Sequence, residues 1–233
     1  MERFTHHVPP PCEEEVRVRF ADAHVIVVEK PAGLLSVPGR FVKDCVVARL
    51  SYDYPDVAVV HRLDLDTSGL MVFSQSRSAT SSLNRQFRER TVEKVYEATV
   101  AGEAPETGEI DAPIRADWAN RPRQKIAVDG KPALTRFSRL GFDSASNTST
   151  VELAPVTGRS HQLRLHLAHI GLPILGCDLY APEAVLALSD RLLLHAKVLA
   201  FSHPATGERL RFASAVPFQE LSELGATFAN PPV

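Results

Sequence analysis

His61-Arg62-Leu63-Asp64-Leu65-Asp66-Thr67-Ser68-Gly69-Leu70 sets an imidazole, a guanidinium and a carboxylate within four consecutive positions and runs into Ser68-Gly69. On either side the chain turns apolar: Val57-Ala58-Val59-Val60 precedes it, Leu70-Met71-Val72-Phe73 follows, and each run reads as a short buried strand. Charged side chains are rarely buried unless paired. The polar decad is therefore expected in a loop that two strands deliver to one place, with a sharp turn at Ser68-Gly69. Asp64 is a candidate nucleophile or general base, and Arg62 can hold its charge. Asp66 adds a second carboxylate two residues on, which admits a glycosidase built on a carboxylate pair. A turn with solvated charges is the plainer alternative, since Thr67 and Ser68 bond readily to nearby backbone and Gly69 reaches backbone angles closed to other residues.

Working outward, His24 to Glu29 reads as a buried strand ended by Pro31 and Gly33. From Ser78 to Arg90, the four-residue spacing of Ala79, Leu83 and Phe87 predicts a helix with Arg85 and Arg88 off its apolar face. Thr91 to Val100 alternates instead, so Val92, Tyr96, Ala98 and Val100 share the interior side of a strand. Leu163, Leu167 and Ile170 predict a second helix, with Ser160 as N-cap, Gly171 as its stop and Arg164 flanking the apolar stripe. Two strands follow, Leu192 to Ser202 and Glu208 to Phe212, joined by a turn at Pro204-Ala205-Thr206-Gly207.

Strands and helices interleave without the glycine-rich turns of doubly wound nucleotide-binding folds. The expected class is α+β: a large mixed, mostly antiparallel sheet with helices packed on it. Residues 1–15, with Pro9-Pro10-Pro11 and Glu13-Glu14-Glu15, read as a loose N-terminal arm, and 16–233 as one domain. A length of 233 residues, with 44% hydrophobic and 23% charged residues, suits one globular core and excludes disordered and fibrous classes. No apolar run approaches the roughly 20 residues that span a bilayer, and the N-terminus lacks the apolar segment of a secretory signal. A cytoplasmic location is expected.

Cys12, Cys45 and Cys177 are odd in number and show no Cys-x-x-Cys spacing, which argues against a disulfide framework and a zinc site. His61, His161, His166 and His169 do not form a metal set either. His161 and His166 are five residues apart, about 140° round a helix, with no acidic partner as in His-Glu-x-x-His. A net charge of −2 is awkward for a nucleic-acid partner. Its distribution is less so: Arg85, Arg88 and Arg90 cluster, as do Arg115, Arg121, Arg123, Lys125 and Lys131, while the acidic residues gather elsewhere. One basic face on a mildly acidic body is expected.

The decad resembles the motif of the pseudouridine synthases, in the branch that modifies large-subunit ribosomal RNA and tRNA. Further segments resemble other motifs of that family in the family's order: Lys30 to Gly39, Lys94-Val95-Tyr96-Glu97-Ala98, Thr157 to His166, and Arg191-Leu192-Leu193-Leu194-His195-Ala196. Asp117 to Lys125 is similar to a stretch of that branch's dual rRNA and tRNA type. The resemblance covers about Asp22 to Phe212. It implies the single-domain pseudouridine synthase fold with a catalytic cleft across the sheet, and no room before the first motif for a separate N-terminal RNA-binding domain.

The resemblance also implies roles. Asp64 is the catalytic aspartate, able to attack the sugar, attack the pyrimidine, or remove a sugar proton. Arg164 is its ionic partner, favouring the ionised carboxyl, and Tyr96 lies against the target uracil, with Leu193 either backing its ring or serving as plain core. The uracil must leave its stack, and Arg62 is the candidate filler of the gap, with a salt bridge to Asp66 as the competing role; His61 stands beside it at the substrate. Arg85, Arg88, Arg121 and Arg123 are the expected phosphate contacts on a hairpin RNA, a tRNA anticodon arm or a 23S ribosomal RNA stem-loop. The reaction calls for no cofactor and no metal, and a monomer is expected. Two rivals remain: a catalytically silent RNA-binding protein of the same fold, and the carboxylate-pair glycoside hydrolase using Asp64 and Asp66.

Overall fold

The computed structural model describes residues 10–218. Most of the expected N-terminal arm, residues 1–9, lies outside them; Pro10 to Glu15 carries no helix or strand. In chain order the elements are β1 (Arg17–Ala21), β2 (Val25–Lys30), α1 (Val46–Leu50), β3 (Ala58–Val59), β4 (Ser68–Ser74), α2 (Arg77–Glu89), β5 (Glu93–Ala101), β6 (Thr107–Asp111), β7 (Ile114–Ala116), β8 (Gln124–Ile126), β9 (Leu134–Asp143), β10 (Thr148–Pro155), α3 (Gln162–His169), α4 (Glu183–Leu186), β11 (Leu194–Ser202) and β12 (Arg209–Ala213).

Ten of these strands form one sheet with the path β1-β2-β4-β11-β5-β10-β9-β6, β12 pairing with β11 and β3 with β4. Every pairing is antiparallel except β4 with β11, where His195 stands opposite Ser68 and Ala196 opposite Gly69. β7 and β8 form a separate hairpin. The α+β class and the mixed, mostly antiparallel sheet follow the expectation, because the valine- and isoleucine-rich runs that pack well on a pleated surface are the runs that pair.

Three apolar clusters hold the layers. One packs β5, β10 and β11 against Leu163 and Leu167 of α3; a second packs β2 and β4 against Val46 and Leu50 of α1; a third sets Leu83 of α2 on Val25, Val27, Leu70 and Val72. Tyr96 touches both the first and the second. It therefore stands at the seam between the two halves of the sheet.

Local chemistry sets the element ends. Ser76 accepts the Ala79 N–H at the start of α2, and Arg90, in the left-handed region, closes it. α3 starts one residue later than the sequence suggests: its N-cap is His161, also left-handed at φ 55°, with no side-chain cap. Gln162 ties the preceding turn to the helix, its Oε1 accepting from the Arg159 N–H and the Thr157 hydroxyl.

The decad itself departs from expectation. The chain turns at Leu65-Asp66, and β4 already begins at Ser68. Gly69 is a point of close approach within a strand: a Cβ there would stand 2.4 Å from the Ala196 carbonyl oxygen, at a φ of +113° that side chains rarely adopt. The preceding strand, β3, is two residues long and half exposed, not buried.

Candidate active site

The loop between β3 and β4, strand β5, and the turn into α3 meet in one cleft with a volume of about 210 Å³. Arg62 and Asp64 come from the loop, Lys94 and Tyr96 from β5, Thr157 to Arg164 from the turn and α3, and Leu194 from β11. Among the described residues, Asp64 is the single carboxylate in its lining; Asp66 does not line it. Burial raises the Asp66 carboxyl, and the negative charge of Asp178 raises it further.

Lys30 anchors the catalytic loop from behind. Its Nζ, almost wholly buried, donates to the carbonyls of Pro31, Leu34 and Leu65, each at 2.8 Å. Burial pulls the group down to about 7 against the pull of Asp66 and Asp64. Three accepting carbonyls are satisfied only by an ammonium with three protons, so we take Lys30 as charged. Ser36 adds a second tie, donating to the Leu63 carbonyl at 2.7 Å and accepting the Leu63 N–H at 3.1 Å. Asp64 is thus flanked on both sides by backbone held from the Lys30–Ser36 segment.

Tyr96 faces Asp64 within the cleft. Burial, and then the nearby Asp64 charge, push its phenol well above the ordinary tyrosine range, so the ring carries a neutral hydroxyl. Arg164, 3% exposed, donates through Nε to Cys177 Sγ at 3.4 Å and pairs through Nη2 with Asp178. Burial works against its charge, yet Cys177, Asp64 and Asp178 outweigh burial and hold the guanidinium above the usual arginine range. Its contact ion partner is therefore Asp178; Asp64 lies within electrostatic reach but outside the pair. The reason is local: the segment Cys177-Asp178 lies beside α3 and meets the side chain first.

With this geometry in place the comparison with known families is direct. Residues 24–169, which carry Asp64, Tyr96 and Arg164, match the family described as RNA pseudouridylate synthase. The chain belongs to the RNA pseudouridylate synthase family. It is 46% identical over 213 residues to the dual-specificity RNA pseudouridine synthase RluA of Escherichia coli strain K12, covering 90% of this chain and 97% of the relative. The RluA protein of Pasteurella multocida is 47% identical over the same shares. Among solved structures, human RNA pseudouridylate synthase domain containing 1 superposes with a TM-score of 0.75 at 25% identity, covering 97% of this chain and 100% of the other.

As a pseudouridine synthase the chain is an isomerase acting on RNA. A wider groove of about 680 Å³ shares Arg62, Lys94, Tyr96 and Thr157 to Arg159 with the cleft and adds Arg88 and Arg90. Among the described residues no carboxylate lines it. Of the residues expected on one basic face, Arg88 and Arg90 line this groove. Arg62 is exposed, lines both spaces and makes no ion pair with Asp66, which removes the salt bridge that competed with its role as a filler.

Other expected site residues fall elsewhere in this synthase. His61 lines only the outer groove; it stacks on Phe87 at 4.7 Å, and its Nε2 accepts the Val72 N–H at 3.0 Å. Burial pushes it down to about 3, so it is a neutral loop anchor. Leu193 and Tyr96 pack against the same apolar cluster, of which Leu194 is a buried member, and Leu194 also lines the cleft. Arg88 lies on the groove and Arg85 further along α2. Arg121 and Arg123 sit on the β7–β8 hairpin, outside the cleft, with the Arg121 guanidinium 3.7 Å over the exposed Trp118 ring.

Sequence reasoning missed Lys94, His161, Arg159 and Tyr180. His161 lines the cleft, and its Nδ1 lies 2.8 Å from the Tyr180 hydroxyl. Burial lowers its basicity while Asp64 works the other way. A left-handed residue between a turn and a helix carries no periodic signal. His166, by contrast, is a satisfied core histidine between Thr135 and the Ala112 carbonyl, each at 3.0 Å.

Proposed function

We propose that this enzyme isomerises specific uridines in hairpin RNA, in a tRNA anticodon arm and in a 23S ribosomal RNA stem-loop, as a cytoplasmic monomer without metal or cofactor. The single observation that carries the reading is the cleft in which Asp64 is the only carboxylate among the described residues, facing Tyr96 and within electrostatic reach of Arg164. The dual specificity in the names of relatives matched over nearly their whole length supports the choice of both RNA classes.

The reaction breaks the bond between uracil N1 and the ribose and joins C5 to the same carbon. N1 ends protonated, C5 gives up its proton, and no atom enters or leaves. A carboxylate that engages the nucleotide and a pocket that retains the detached base meet those needs. Asp64 is the catalyst in this account, and the Tyr96 ring lies against the uracil. Arg164, fixed by Cys177 and Asp178, positions and electrostatically supports Asp64 without forming its contact pair. Arg62 enters the space the uracil leaves. The groove arginines, Arg88 foremost, hold phosphates, with Arg85, Arg121 and Arg123 further out. The cleft and the groove beside it, both built by the catalytic domain, contribute to RNA recognition in this account.

The test is a map of pseudouridine by carbodiimide-dependent reverse-transcription stops in cells with and without the gene. Loss of one stop in tRNA anticodon arms and one in a 23S hairpin is expected. Loss in only one class corrects the dual specificity, and an unchanged map overturns the assignment.

A further inference from the structure

We propose that Lys94 forms the phosphate subsite of the flipped nucleotide, binding a phosphodiester next to the target uridine while Tyr96 receives its base. The proposal rests on the pseudouridine synthase reading for which nucleotide is extruded, but its readout is binding and needs no turnover.

Three observations carry it. Lys94 and Tyr96 are two residues apart on β5, so they share a face and stand roughly 7 Å apart along the strand. With uracil against the tyrosine ring, the amine lies about one ribose further out, where the backbone of an extruded nucleotide must run. Lys94 also belongs to both spaces, the narrow cleft and the basic groove, and so marks the passage between them.

Finally, it is a cation at the site with no hydrogen bond or ion pair to another described residue. Lys30 is spent on three carbonyls, Arg164 on Cys177 and Asp178, and Lys197 on Glu97. Facing Lys94 is Gly158: a Cβ there would stand 3.9 Å from Nζ and meet nothing else, so the missing side chain keeps this one approach to the amine open. Burial, and then Arg90, lower the Lys94 amine to about 8. An incoming phosphate offsets both effects and restores full charge, the response expected of a site built for an anion.

The experiment measures the affinity of the full chain for an anticodon-arm hairpin, unmodified or carrying a neutral methylphosphonate at one of the two phosphates flanking the target uridine. Charge-assisted hydrogen bonds of this type predict that K94Q weakens binding about ten- to hundredfold, with the salt dependence shallower by about one phosphate. K94R keeps most of the affinity. One methylphosphonate weakens the wild type to the same extent and K94Q no further.

Losses that add at both phosphates overturn the proposal. So does a K94Q that binds like the wild type, or one that loses turnover at unchanged affinity, which would assign the amine to the reacting base. Should K94Q fail to fold, wild type and K94R compared on the two modified hairpins decide the matter: one sensitive phosphate supports the subsite and none refutes it. Coupling observed in a protein that makes no pseudouridine would sink the enzyme assignment and leave the subsite standing.

Discussion

The Tyr180 hydroxyl lies 2.8 Å from Nδ1 of His161 and accepts the Gln124 N–H at the same distance. Its ring packs 5.7 Å from the Arg164 guanidinium. One side chain thus joins the β7–β8 hairpin, which carries Trp118, Arg121 and Arg123, to the cleft lining. Tyr180→Phe removes the hydroxyl and leaves a backbone donor and a ring nitrogen unpaired, a cost of about 1–3 kcal/mol in stability. Urea unfolding measures that loss. Kinetics report the link: kcat on a hairpin RNA falls while the change in KM is smaller, because the variant loosens His161 and Arg164 and leaves the hairpin's own arginines in place. An unchanged kcat removes Tyr180 from the pathway between hairpin and cleft.

Lys30 makes a separable prediction. Lys30→Met keeps much of the side-chain volume and orphans three carbonyls that now accept hydrogen bonds from Nζ at 2.8 Å. The expected destabilisation is about 3 kcal/mol or more. Turnover falls further than stability explains, since the Leu65 carbonyl follows Asp64 directly. A variant as stable and active as the wild type would show that the loop holds its shape without the clamp.

Acid should weaken the fold through His195. Burial, and then Arg191, push this imidazole down to about 4 from an ordinary 6.5. Arg191 donates to the Ser68 hydroxyl at 2.7 Å, which leaves that hydroxyl free to donate to His195 Nδ1 at 2.8 Å, while Nε2 meets Ser214 at 2.9 Å. Burial and the neighbouring Arg191 charge disfavour the imidazolium. The folded state thus resists a proton that the unfolded chain takes up, so the contribution is complete above about pH 6.5 and lost as pH falls to about 4. At about 1.4 kcal/mol per pKa unit the loss is on the order of 3 kcal/mol. Urea midpoints measured across that window in the wild type and in His195→Asn check it; an equal slope in both would assign the acid sensitivity to other groups.

Much of this was legible in the chain because strands, helices and motifs each leave a local pattern. The alternation of Thr91 to Val100 aims Tyr96 inward, and the spacing of Ala79 and Leu83 marks the buried face of α2. What escaped depends on contacts far apart in sequence. Gly69 reads as a turn until β11 is seen pressed against it, 127 residues later at Ala196. Arg164 invites pairing with Asp64 until Cys177 and Asp178 are seen beside it. Lys94, quoted only as part of a motif, drew no role because an exposed lysine and one at the seam of two cavities are written alike.

The account stands on one carboxylate, and the direct measurement is release of tritium from hairpin RNA labelled at uracil C5 by Asp64→Asn and Asp66→Asn, each checked for folding. Asp66, absent from the cleft, should tolerate the change with turnover within about tenfold of the wild type. Asp64→Asn should bind the hairpin and release nothing above background. Equal damage in both variants would restore a shared carboxylate pair, and tritium release by Asp64→Asn would refute the catalyst assigned here.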